Sequence, residues 1–104
     1  MFSNDAATGS GRLTASTSGI YARPCRLVGI LLDPAAADCS VTVYDNASAG
    51  SGTIVGLAKA TVALTGTETK YIPVGGPGGI QCNSGLSAVI AGAAAGYILY
   101  FIPA

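Results

Sequence analysis

No histidine and no tryptophan occur among the 104 residues, and only 10% of the chain is charged. The missing histidine excludes every Ser/His/Asp and Cys/His nucleophilic arrangement. Lysine is then the base left for a serine or cysteine nucleophile. Lys59 and Lys70, however, fall in alternating β-prone runs, where long cationic side chains face solvent. A zinc site loses its usual imidazole ligands, and Cys25, Cys39 and Cys82 show no CxxC spacing. The sequence therefore predicts no catalytic residues, no cofactor and no metal. Cys39 shares a period-2 face with Val41 and Val43, and Cys82 shares one with Ile80, the pattern of buried thiols acting as small hydrophobes. A disulfide between two of the three stays open at this level, because geometry decides it.

Charge of a single sign is also lacking. Five Lys and Arg balance five Asp and Glu, which leaves no cationic footprint for nucleic acid and no polybasic attraction to anionic lipid. The longest apolar stretches, Leu27–Leu32 and Tyr97–Ile102, are far short of the roughly 18 residues of a membrane span. Met-Phe-Ser-Asn-Asp lacks the basic and apolar regions of a signal peptide. The expectation is synthesis in a reducing cytoplasm, no export by the general route, and no nucleic-acid or membrane partner.

Half of the residues are apolar, against a typical charged share of about 25% in globular domains. So few charges cannot coat a small surface, and leftover apolar area marks contact with other molecules. The length fits one domain, which buries roughly 65% of its unfolded surface. Residues 1–11 have no periodicity and read as a flexible N-terminal arm. Such an arm is either disordered or ordered by lying on a neighbour, with Phe2 as its anchor.

Residues 12–104 read as one antiparallel, jelly-roll-like β-sandwich of about eight strands, with an immunoglobulin-like sandwich as runner-up. Arg12–Ser16 and Gly19–Ala22 are short edge candidates. Cys25–Asp33 is apolar on both faces, Leu27 and Leu31 against Val28, Ile30 and Leu32, so both faces need cover. Asp33–Asp38 reads as a turn around Pro34, and Cys39–Asp45 as a half-buried strand. Asp45–Gly52 is a loop, Thr53–Leu64 holds one or two strands, and Glu68–Val74 another. Gly75–Gly79 lacks the Gly-Lys-Ser/Thr ending of a phosphate loop and reads as an inter-sheet connection. After Ile80–Cys82, the runs Leu86–Ala91 and Tyr97–Ile102 read as a hairpin across Gly92–Gly96.

The acidic residues Asp5, Asp33, Asp38, Asp45 and Glu68 could supply paired carboxylates or a calcium site, but most sit where Asp serves turns. The final run is the strongest pointer to an interface. It is apolar on both faces, and one face, either Tyr97/Leu99/Phe101 or Ile98/Tyr100/Ile102, is left over after the core is filled. Tyr97, Leu99, Tyr100, Phe101 and Ile102 are thus the candidate oligomer interface, with Phe2, Arg23 and Arg26 as candidate partner contacts.

The succession CRLVGILLD, VTVYDNASAGSGTIVGL, YIPVGGPGGIQCNSGLSAVIAG and YILYFI resembles small jelly-roll decoration, or cement, proteins of tailed-bacteriophage capsids over about residues 19–102. The resemblance implies a homotrimer on the outer surface of the virion, bound to the major capsid protein lattice, with the acidic loops and the arm toward the shell. It implies a structural protein, not an enzyme. Other readings are another virion component, such as a head-fibre base or tail accessory, and a carbohydrate-binding module. Five tyrosines and no tryptophan make a poor sugar platform.

Overall fold

The computed structural model describes residues 7–60, 70–75 and 79–103, with backbone alone at 34–37, 70 and 93–95. The described residues form seven strands: β1 (Thr8–Gly9), β2 (Thr17–Tyr21), β3 (Cys25–Asp45), β4 (Thr53–Ala60), β5 (Lys70–Pro73), β6 (Ile80–Cys82) and β7 (Leu86–Pro103). Every pairing is antiparallel, and no helix occurs among the described residues.

Two long strands organise the molecule. β3 and β7 pair along their whole lengths, from Cys25↔Pro103 to Tyr44↔Ser87. This ribbon turns a corner where Pro34 faces Ala94 and Cys39 faces Gly92. Five steps along β3 there match two along β7, and such bulged mismatches bend a strand pair. Before the corner lies one sheet: β1 and Leu13 beside β7, then β3, then β5 and β6. Beyond it lies the other: β2, β7, β3 and β4.

The sheets face each other. Gly56 of β4 presents its bare α-carbon to Leu27 and Ile30, and the ring of Tyr21 on β2 lies 4.8 Å from that of Phe101. Between them sits a single core that includes Leu27, Ile30, Leu32, Val41, Val43, Leu86, Tyr97 and Leu99. The chain is an all-β sandwich.

Four sequence expectations are corrected. Asp33–Asp38 and Gly92–Gly96 are not turns; the backbone stays in strand through both, and they lie side by side at the ribbon's corner, paired at Asp33↔Gly96 and Pro34↔Ala94. Consequently Leu86–Ala91 and Tyr97–Ile102 do not form a hairpin with each other, and each pairs with its own half of β3. Gly75–Gly79 does not join the sheets either. Val74 bonds to Val28 and Ile80 pairs with Leu27, so the chain leaves and rejoins the same edge of β3 at adjacent residues. Lastly, Thr8–Gly9 of the predicted arm pairs with Phe101 and Tyr100. Ser10 continues this contact by exchanging hydrogen bonds with Leu99. The rest of the arm, residues 1–6, lies outside the described residues, as do the predicted strand segments at 61–64 and 68–69.

The far end of the sandwich is closed by polar contacts. Ser87, fully buried, accepts from the Gly19 N–H and donates to the Asn46 carbonyl. Asp45 accepts from the N–H groups of Asn83, Ser84 and Gly85 at 2.9, 2.8 and 3.2 Å. Burial raises the pKa of this carboxyl, but the three N–H groups outweigh it and hold it below its ordinary value. On acidification the unfolded chain therefore takes up the proton first. Asp45 contributes stability that is present above about pH 4 and lost as pH falls toward its folded pKa. Asp45→Ala should cost about 1–2 kcal/mol at neutral pH, measured by urea unfolding. That difference from the parent should shrink below about pH 4.

Candidate interaction face

The two outer surfaces of the sandwich differ in character. Beyond the corner the outer surface is mixed: Ser40, Thr42 and Lys59 point outward, on the side away from buried Cys39, Val41 and Ala58, and beside them Leu57 and Ile54 of β4 are more than half exposed. The loop after β3 also folds over this surface, with Gly50 against Val89. Asn46 shapes that loop, its Oδ1 accepting from Ser48 and Ala49.

The outer surface of the first sheet is apolar. Tyr71, Leu31 and Ile98 form one cross-strand row, and Pro73, Gly29, Tyr100 and Gly9 form the next. The glycines let the tyrosines lie flat. A Cβ on Gly29 would overlap the Tyr71 phenol, and one on Gly9 would stand 3.3 Å from the Tyr100 ring. The two rings meet edge-on at 6.0 Å. With Ala7, Val28 and Leu31 they line a shallow depression of about 310 Å³. Tyr71 is 50% exposed, while Val28, Leu31, Ile98 and Tyr100 are half-buried.

Charge lies at the margin of this face. At one end Arg12 donates to Asp33 at 3.1 Å, and both side chains are well exposed, so the pair adds little stability. At the other end Arg26 faces outward between Gln81 and Ile102. An apolar centre with aromatic side chains and a charged rim is the general anatomy of a protein interface.

A phase slip explains which residues face out. Val28 is an extra residue in β3, because Leu27 faces Phe101 while Gly29 already faces Tyr100. The bulge shifts the alternation by one. Leu27, Ile30 and Leu32 therefore point inward, and Val28 and Leu31 outward.

Of the sequence-predicted interface residues, Tyr97, Leu99 and Phe101 fill the chain's own core and offer no outer surface. This corrects that part of the expectation: the core-facing set is Tyr97/Leu99/Phe101. Tyr100 and Ile102 lie on the outer face, where Tyr100 is half-buried and Ile102 buried. Arg23 is exposed in the bend between β2 and β3, and Phe2 lies outside the described residues. Val28, Leu31 and Ile98 belong to runs already read as apolar on both sides, whereas Tyr71 carried no sequence signal. Among the described residues no three potential metal ligands cluster. Asp33 is occupied by Arg12 and Asp45 by the 83–85 turn.

Comparison of the chain with protein-family models, curated proteins and solved structures finds no match.

Proposed function

We propose that this chain is a structural subunit of a virion, a capsid decoration protein that binds the major capsid protein lattice and stabilises the assembled shell. The observation that supports it best is the apolar face of the first sheet, built from Val28, Leu31, Tyr71, Ile98 and Tyr100. A small domain that leaves such a face outward has somewhere to bury it. In this reading the face joins copies of the chain to one another, and the number three comes from the sequence resemblance. The jelly-roll assignment comes from the strand pattern of the sequence, Phe2 and Arg23 are its candidate partner contacts, and the use of the arm toward the shell rests on the resemblance. A subunit that binds the assembled shell and not its separated parts stabilises the shell by linkage alone. No catalysis is assigned.

The test is saturable binding to emptied capsid shells, read by co-sedimentation. Saturation at a fixed ratio to the major capsid protein, with shells that then withstand more heat, supports the proposal. No binding to shells contradicts it. The Tyr71–Tyr100 pair gives a second reading some footing, since sugars stack on aromatic rings. The rings meet edge-on instead of forming a flat platform, and binding on a glycan array would favour that reading over the first.

A further inference from the structure

Cys25 and Cys82 stand directly opposite each other on β3 and β6. Both are completely buried, on the core face, and neither is in a disulfide. Cys39 is different. It lies beyond the corner, opposite Ala60 and Gly92, and faces no cysteine. Directly opposed residues on one face of an antiparallel pair have Cβ atoms about 4.5–5.5 Å apart, and a disulfide needs about 3.5–4.5 Å. A shift of about 1 Å closes the gap. β6 is only three residues long and follows Gly79, which has φ +77°, so it is the element that can make the shift.

Both thiols lie in the same buried core, and Cys82 donates weakly to the Ile80 carbonyl at 3.7 Å. The neighbouring Cys82 thiol, and then burial, push the Cys25 thiol up, while the neighbouring Cys25 thiol holds Cys82 below its ordinary value.

We propose that Cys25 and Cys82 form an oxidation site, at which a low-molecular-weight disulfide converts the pair into an intrachain bond that staples β6 to the start of β3. The Cys82 thiolate attacks one sulfur of the oxidant and releases one small thiol. The Cys25 sulfur then displaces the second, forming the Cys25–Cys82 bond. Each protein thiol gives up a proton, and two electrons pass to the oxidant, which leaves as two thiols. Both groups are buried, so the rate is set by local opening of β6.

The experiment treats the whole chain with oxidised glutathione or with dithiothreitol, then maps non-reduced peptides by mass spectrometry. The expected product is a Cys25–Cys82 link within one chain, with Cys39 still a thiol. Its melting temperature should be higher than that of the reduced chain by about 5 °C or more, reversibly. Cys39→Ser should form the same link and Cys82→Ala should not. If Cys82→Ala does not fold, the peptide map of the parent and of Cys39→Ser decides. A link through Cys39, links only between chains, no link at all, or a lower melting temperature on oxidation overturns the proposal.

Discussion

Replacing Tyr97 by alanine should cost about 3–5 kcal/mol, the range for deleting a large buried aromatic side chain. Tyr97 is the largest of the fully buried side chains, only 1% exposed, and three features depend on it. Its ring fills the core opposite Leu32. Its hydroxyl donates to the Ala15 carbonyl at 2.7 Å. Its backbone exchanges two 2.8 Å hydrogen bonds with Leu13, so the ring and the edge segment are fixed together. In a domain of this size the loss corresponds to a melting temperature lower by roughly 12 °C or more. Tyr97→Phe keeps the ring and removes only the hydroxyl, so about 1 kcal/mol is expected. Urea unfolding of the two variants separates packing from hydrogen bonding. Burial also raises the pKa of this phenol. The unfolded chain therefore ionises first, and stability should fall as pH rises from about 10 toward the folded pKa.

Gly92→Ala should be the second large effect, about 2–4 kcal/mol. Gly92 sits at the ribbon's corner with φ +87°, and a Cβ there would run into the Asp38 carbonyl and the Cys39 α-carbon, both backbone. Gly11 provides the control. It has φ +80°, but open space surrounds the position a Cβ would take. Gly11→Ala should therefore show only the left-handed strain, about 1–2 kcal/mol. The difference between the two, read from parallel thermal melts, measures how tightly the corner is packed.

The same corner shows where sequence reading stops. Strand-forming runs at 25–33, 39–45, 80–82 and 86–91 are legible because β-branched and large apolar residues recur between Gly, Asn and Asp clusters. The continuity of β3 and β7 is not, because Pro34 and the Gly92–Gly96 segment carry the composition of turns. In a matched ribbon that composition serves a bend. Orientation fails for a related reason. Period-2 alternation places Leu27 and Leu31 on one face, and the bulge at Val28 separates them. β4 repeats the lesson: Val43 faces Gly56 while Tyr44 faces Ile54, so Val55 is an extra residue. That slip leaves Ile54 and Leu57 exposed and puts Ala58 inside. Tyr71 is the hardest case, since its place in the face depends on Gly29, forty-two positions earlier, having no side chain.

The interaction face rests on these slips, and its role is open to direct measurement. Leu31 stands at its centre, between Tyr71 and Ile98, and is half-buried on the outer side. A carboxylate there stays hydrated in the separate chain but would be buried unpaired between copies, costing about 3–5 kcal/mol, or roughly a hundredfold or more in affinity. Light scattering of the parent and of Leu31→Glu, matched for concentration and melting temperature, is the decisive comparison. A trimeric parent and a monomeric, equally stable variant are the predicted result. A parent that stays monomeric, or a variant that associates as the parent does, would contradict the account.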